Sequence, residues 1–118
     1  MKSVLVIEYE STIRTHIMDI LGALQFNCTG CSDTKNAFQA ITNGDNFDLI
    51  IINDLMQKGM SGLEMAEKVL RKINTQKIII MSGNNSKSLK FTKGFNIPTL
   101  TKPLGRDEIS QVVNQVFA

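Results

Sequence analysis

The sequence predicts an α/β fold in which a parallel sheet is covered on both faces by helices. Five short apolar runs alternate with segments whose apolar residues recur every three or four positions. The strongest runs are rich in Ile, Val and Leu and lack polar alternation, which is typical of strands buried on both faces. Strands that alternate with helices favour a parallel sheet with right-handed crossovers.

The chain has 118 residues and shows no internal repeat or linker, so we predict a single domain, 1–118. The predicted strands are SVLVI (3–7), NCTGCS (27–32), DLIIIN (48–53), KIIIM (77–81) and IPTLT (97–101). The predicted helices are STIRTHIMDILGALQ (11–25), DTKNAFQAITNG (33–44), SGLEMAEKVLRKI (61–73), NSKSLKFTKGF (85–95) and RDEISQVVNQVFA (106–118). Ser11, Asp33 and Ser61 are predicted N-caps, and Gly44 stands just past the second helix.

Charge and hydropathy argue against two broad classes of function. The net charge is only +2, and the lysines are scattered rather than interleaved with aromatic residues as in a nucleic-acid-binding surface. The first strand offers four contiguous apolar residues before Glu8, too few for a signal peptide or a membrane span. We therefore expect a cytoplasmic protein that binds neither nucleic acid nor membrane.

Chemically active side chains follow the predicted strands. Because the ligand crevice of an open parallel sheet lies beyond the carboxyl ends of its strands, these side chains should gather at one edge. A carboxylate there can attack a phosphoryl group, and several carboxylates suit Mg²⁺. A lysine can offset charge on the transferred oxygens, and a hydroxyl can donate to one of them. The residues are Glu8, Tyr9 and Glu10 after the first strand, Asp54 after the third, Ser82 after the fourth and Lys102 after the fifth.

Four motifs occur in order along the chain: VLVIEYESTIR, DLIIINDLMQKGMSGLE, IIIMSG and TLTKPL. They resemble, in turn, the acidic pair, the phosphoacceptor strand and loop, the hydroxyl-bearing strand and the Lys-Pro motif of receiver domains. These domains belong to the response regulators of bacterial two-component signalling. The resemblance covers nearly the whole chain. It implies a CheY-like, flavodoxin-like doubly wound sheet of order 2-1-3-4-5 flanked by five helices.

The resemblance implies a role for each residue that would handle the phosphoryl group. Asp54 would accept it from a sensor histidine kinase or a phosphotransfer protein. Ser82 and Lys102 would contact it, and Pro103 would hold the Lys102 peptide. The acyl phosphate would change a face that binds a downstream protein.

The metal site is where the sequence departs most from the family pattern. The resemblance implies that Mg²⁺ binds to Glu8, Asp54 and the backbone carbonyl of Met56, with Glu10 as a further candidate ligand. Tyr9, however, occupies the second position of the acidic pair. A phenol is a poor Mg²⁺ ligand at neutral pH, so Mg²⁺ binding is expected to be weakened.

Two further positions depart from the family pattern. Lys58 stands where the family usually has proline, which brings a cation into the loop after Asp54. Thr99 stands where the family usually has an aromatic switch residue, so a rotating ring cannot report phosphorylation. We therefore expect an unusual output geometry.

The sequence leaves two uses of this fold open. The first is a phosphoacceptor signalling domain that is not an enzyme beyond self-phosphorylation from small phosphodonors and autodephosphorylation. The sequence shows no output domain after Val116, so the signal is expected to be binding to another protein, as it would be for an excised receiver. The second is a degenerate receiver that binds proteins without phosphorylation, as Tyr9 and Thr99 suggest.

The pair Cys28 and Cys31 supports a competing hypothesis of another class. A CxxC motif before a helix faintly resembles thioredoxin-like oxidoreductases. Here, however, Cys28 falls in an apparent strand, and Asp54, Ser82 and Lys102 would have no role. Residues three apart on a strand point to opposite faces, so two half-buried structural thiols are expected.

Overall fold

The computed structural model describes residues 1–83, 97–101 and 104–118. Five parallel strands form one sheet in the order β2-β1-β3-β4-β5. The strands are β1 (Ser3–Ile7), β2 (Asn27–Cys31), β3 (Leu49–Asn53), β4 (Ile78–Ser82) and β5 (Thr99–Thr101). The described helices are α1 (Ser11–Ala23), α2 (Thr34–Thr42), α3 (Gly62–Lys72) and α4 (Arg106–Phe117). The predicted strand order is thus confirmed.

The described residues contain four helices rather than the five that the sequence predicts. The missing one is the helix expected over 85–95, which lies outside the described residues, so it stays a prediction. Within the described part of the chain, no helix combines the length and apolarity that a membrane-spanning segment needs.

Helices cover the sheet on both faces. All five residues of β3 and of β4 are buried, as expected for central strands between two helical layers. One apolar cluster joins α1 and α4 to alternate strand residues such as Val6 and Ile51. The other cluster joins α2 and α3 to the intervening residues, such as Ile7 and Ile52. The sheet edge beyond the strands is therefore the place where polar groups can gather.

Side-chain caps start two of the helices at the predicted residues. Asp33 Oδ1 accepts a hydrogen bond from Asn36 N at 2.6 Å at the start of α2. Ser61 and Glu64 form a reciprocal capping box at the start of α3. The prediction that Ser11 caps α1 is wrong, although the helix begins within the predicted range. Glu10 is its N-cap residue and Ser11 its first helical residue.

The two cysteines lie on β2 and are not bonded to each other. Cys28 packs against the α1–α4 cluster, whereas Cys31 packs against the α2–α3 cluster. Their side chains therefore point to opposite faces of the sheet, as the strand spacing predicts. Burial raises the pKa of the Cys28 thiol, which disfavours the reactive thiolate.

Candidate functional site

Asp54 follows β3 directly, at the carboxyl edge of the sheet. Its backbone is bonded on both sides: its N–H donates to Met81 O at 2.9 Å, and its carbonyl accepts from Gly62 N at 3.1 Å. The side chain is half-buried. With the residues that the structure describes, its carboxylate forms no hydrogen bond or ion pair. The main chain thus fixes Asp54, and no residue in the described ranges occupies its carboxylate.

The start of α3 determines where the Asp54 peptide lies. Gly62 is buried against the end of β3, and a Cβ added to it would lie against the Asn53 carbonyl oxygen and 2.8 Å from the Asn53 carbonyl carbon. Only glycine allows this approach. The capping box at Ser61 holds the same turn, so α3 and β3 meet directly beneath Asp54.

Glu8 follows β1 and is completely buried, with no exposed surface. Its Oε1 accepts a hydrogen bond from Asn53 Nδ2 at 2.6 Å, and its Oε2 accepts from Glu10 N at 3.0 Å. Asn53 is 3% exposed, and its Oδ1 accepts from Leu55 N at 3.2 Å. A buried carboxylate requires such donors, since desolvating an ion is otherwise costly. Both oxygens of Glu8 are therefore engaged by amides.

The strand alternation separates Glu8 from Asp54. Ile7 pairs with Ile52 in the sheet register, so Glu8 and Asn53 are the next neighbours across the two strands. Both follow the alternation of the residues that face α1 and α4. Asp54 comes one residue later and follows the alternation of the α2–α3 face.

Tyr9 lies on the α2 side of the edge. It lines a groove of about 280 Å³. The negative charge of Glu10 raises the pKa of the Tyr9 phenol, and partial burial and a hydrogen bond to the Glu10 carboxylate add to this effect. The phenol is therefore neutral at physiological pH and cannot replace a carboxylate. The other residues that line the groove are Ser32, Asp33, Met56, Gln57 and Lys58.

The loop between β3 and α3 forms the outer wall of the site. Leu55 is 70% exposed directly beside Asp54, whereas Met56 packs against the α2–α3 cluster. Gly59 adopts a φ of +81°, which glycine reaches without strain. The Thr34 hydroxyl donates to Met60 O at 2.9 Å and ties the loop to the start of α2.

The remaining predicted site residues come from β4 and the end of the chain. Ser82 ends β4 and is 7% exposed; its position follows the same alternation as Asp54, since Asn53 pairs with Met81. Thr99 is half-buried at the start of β5 and pairs with Ile80. Lys102 and Pro103 lie outside the described residues, so their roles stay predictions.

The described residues do not fit a complete acidic metal site. Nowhere in the described ranges do three or more His, Cys, Asp or Glu side chains come close enough to hold a metal ion. The carboxylate of Glu8 is occupied by amides, and that of Glu10 interacts with the Tyr9 phenol. Asp54 and the backbone carbonyl of Met56 remain as candidate ligands, and a single carboxylate is at the low end of what Mg²⁺ sites use.

Asn53 is the site residue that the sequence analysis did not identify. Its signal was present: it is the one polar residue in the otherwise apolar β3 sequence LIIIN. A buried polar side chain at a strand end needs a partner, and the neighbouring strand supplies Glu8. The partner could not be read from the sequence, because Glu8 is 45 residues away along the chain.

Comparisons with known proteins agree with the fold. Residues 4–114 match the family model described as response regulator receiver domain. No curated protein matches significantly. Among solved structures, the receiver domain of the Francisella response regulator 1452 is 28% identical, with a TM-score of 0.84; the match covers 99% of this chain and 97% of that one. The response regulator TrrA from Thermotoga maritima, solved with Mg²⁺ and BeF, is 26% identical, with a TM-score of 0.87 and coverage of 98% and 99%.

A third neighbour supports the fold alone. A receiver domain protein from Clostridium thermocellum is 22% identical, with a TM-score of 0.86, over 98% of this chain and 94% of that one. The two neighbours of higher identity are matched along nearly their full length.

Proposed function

The chain belongs to the response regulator receiver domains, and from this premise we propose that Asp54 is its phosphoacceptor. Receiver domains are signalling domains of two-component systems, and they receive phosphoryl groups from histidine kinases or phosphotransfer proteins. We assign this chain a partner of that kind and a downstream protein that recognises the changed state.

The hydrogen bonding and burial of Asp54 are the observations that support this proposal. Its main chain is bonded to β4 and α3, and its half-buried carboxylate has no competing hydrogen bond among the described residues. A carboxylate oxygen of Asp54 would attack the phosphorus of a phosphohistidine. The new O–P bond forms as the N–P bond breaks, and the imidazole leaves and takes up a proton. The product is an acyl phosphate on Asp54.

Two residues support the transfer in this proposal. The Ser82 hydroxyl, at the end of the neighbouring strand, would donate to an oxygen of the acyl phosphate and move the loop after β4. Lys102 would offset the added negative charge, a role that rests on its place in the TLTKPL motif. Lys58, exposed in the loop after Asp54, would add positive charge for attracting an anionic phosphodonor.

Receiver domains bind Mg²⁺ in general, and for this chain we propose that the affinity is reduced. Tyr9 supplies a neutral phenol where a second carboxylate would serve, and the Glu8 carboxylate accepts hydrogen bonds on both oxygens. When bound, Mg²⁺ would neutralise charge on the phosphoryl oxygens. Phosphorylation is therefore expected only at high Mg²⁺ concentration.

The same observations favour a second candidate function. The hydrogen bond from Asn53 to the Glu8 carboxylate would stabilise this edge of the sheet without a metal ion. Such a receiver could bind a partner protein in one constant conformation. In this degenerate form, Asp54 would not be phosphorylated at any Mg²⁺ concentration.

Intact-mass spectrometry after incubation with phosphoramidate or acetyl phosphate, over a series of Mg²⁺ concentrations, tests the proposal. We expect a single phosphoryl adduct on the wild-type protein and none on Asp54→Asn. Asp45→Asn, which changes an exposed carboxylate in the loop after α2, is the matched control and should be phosphorylated normally. If no adduct forms even at the highest Mg²⁺ concentration, the degenerate receiver is the better description.

A further inference from the structure

We propose that Asn53 is a positioning residue that keeps Glu8 from binding a divalent cation. The inference concerns metal affinity and does not require that Asp54 is phosphorylated. It starts from the mismatch between the family, which binds Mg²⁺, and a site whose first carboxylate is held by two amides.

The contact geometry shows that Asn53 is built to hold Glu8. The hydrogen bond from Asn53 Nδ2 to Glu8 Oε1 is 2.6 Å long, a short distance of the kind that charge-assisted bonds have. The other end of the Asn53 amide accepts from Leu55 N, so the orientation of the side chain is determined by both of its polar atoms. Asn53 is therefore fixed with its donor towards Glu8.

Burial makes this contact an effective competitor of a cation. Glu8 has no exposed surface and Asn53 is 3% exposed, so the bond is shielded from water. A metal ion that drew Glu8 away from Asn53 would leave the buried Asn53 amide without its acceptor. Arg14 also contacts this residue, since its Nη1 donates a hydrogen bond to the backbone carbonyl of Glu8 at 2.6 Å. Glu8 is thus held by its main chain and its side chain together.

The sheet register explains why the residue at position 53 can do this. Glu8 and Asn53 are neighbours across β1 and β3, one step beyond the pair Ile7 and Ile52. An apolar residue at position 53, like the four residues before it in β3, could pack there but could not donate. The hydrogen bond from position 53 would then no longer compete with Mg²⁺ for the Glu8 carboxylate.

Titration calorimetry with Mg²⁺ alone tests the proposal on the whole chain. Asn53→Val removes the donor and keeps a residue that suits a buried strand. The substitution is made in the wild-type background and in a Tyr9→Asp background, where the second position of the acidic pair is anionic. We expect Mg²⁺ to bind about tenfold more tightly after Asn53→Val in at least one background, because the hydrogen bond no longer competes.

A variant at Glu8 separates positioning from a merely structural effect. In Glu8→Gln the charge is gone, so Asn53→Val should leave Mg²⁺ affinity unchanged there. Asn53→Ser is a second variant whose short side chain does not reach Glu8, in case Asn53→Val does not fold. Asn27→Val, an exposed change at the amino end of β2, is the matched control and should not alter Mg²⁺ affinity.

Each possible result of the calorimetry either supports the proposal or overturns it. Tighter Mg²⁺ binding that depends on the Glu8 carboxylate supports the proposal. Mg²⁺ binding that Asn53 substitutions leave unchanged in both backgrounds, absent binding included, overturns it. So does an increase that persists in Glu8→Gln, because Asn53 would then not act through Glu8.

Discussion

Tyr9 shows how one residue can change the electrostatics of a site without changing the fold. It is half-buried beside the loop that carries Met56 and Lys58, and the charge of Glu10 raises the pKa of its phenol. The site therefore has one fewer negative charge at neutral pH than a carboxylate at this position would give. The Tyr9 ring lies along a groove at the sheet edge, so this departure from the family pattern does not disturb the packing of the core.

Replacing Tyr9 by Asp should increase Mg²⁺ affinity about tenfold or more, because it adds an anionic oxygen ligand on the α2 side of the edge. Tyr9→Phe removes only the hydroxyl and should leave Mg²⁺ affinity as in the wild type. Calorimetry with Mg²⁺ measures both variants. Equal affinities for Tyr9→Asp and Tyr9→Phe would show that position 9 does not face the metal.

Helix α3 is the element that positions the sheet edge that carries Asp54. Its capping box aligns the first turn, and Gly62 lets that turn approach the end of β3 more closely than any side chain would permit. The Gly62 N–H then donates to the Asp54 carbonyl, so helix and strand share one peptide group. Packing of this helix is therefore coupled to the geometry of the site.

Gly62→Ala should destabilise the protein by about 1–3 kcal/mol, since the added methyl group meets backbone atoms that must move. Phosphorylation of Asp54 should fall as well, because the atoms displaced belong to Asn53 and Asp54. Urea denaturation and intact-mass spectrometry measure the two effects.

Gly22→Ala is the matched control for that substitution. Gly22 is also helical, near the end of α1, and a Cβ there meets nothing within 4 Å. We expect an unchanged phosphoryl yield and a gain of roughly 0.5–1 kcal/mol from helix propensity. A loss of stability in Gly22→Ala equal to that of Gly62→Ala would refute the steric argument.

The contact between Ser3 and Asp48 lies at the end of the sheet opposite the candidate site. At the amino ends of the strands, Asp48 Oδ2 accepts from Ser3 N at 2.7 Å and from Ser3 Oγ at 3.2 Å, which ties β1 to the start of β3. The hydrogen bond from the Ser3 backbone lowers the pKa of the Asp48 carboxyl below its ordinary value of 3.8. The candidate site lies at the other end of the same strands.

The lowered pKa of Asp48 gives stability a pH dependence of known sign. The ionised carboxylate is favoured in the folded state, so its contribution is complete above the unfolded pKa and is lost as pH falls through the folded one. Urea denaturation at several pH values should show wild type more stable than Asp48→Asn above about pH 5, with the difference shrinking towards pH 3.

Asp45→Asn, in the same loop, should not show this pH-dependent difference. Asp48→Asn should also keep the Mg²⁺ affinity and phosphoryl yield of the wild type, because it acts at the opposite end of the sheet. A pH-independent effect of Asp48→Asn would mean that the Ser3 contact does not stabilise the folded state.

Much of the fold could be predicted because its signals are local. The apolar runs at 49–52 and 78–81 need no partner to be recognised as buried strands, and the caps Asp33 and Ser61 act within three residues of themselves. The same locality explains the error at Ser11. The helix start there is set by Glu10, whose N–H is bonded to Glu8. The family motifs placed Glu8 and Asp54 at the carboxyl edge, where each directly follows a strand in the structure.

Sequence patterns therefore determined the fold class, the strand order through the family resemblance, and the polar residues at one edge of the sheet. The tertiary structure decided how those residues are used. It pairs Glu8 with Asn53 across 45 residues, sets the Tyr9 phenol beside Glu10, and brings the Gly62 backbone against the end of β3. The physical reason is that burial and hydrogen-bond partners depend on which strands are neighbours, and parallel neighbours come from distant parts of the chain.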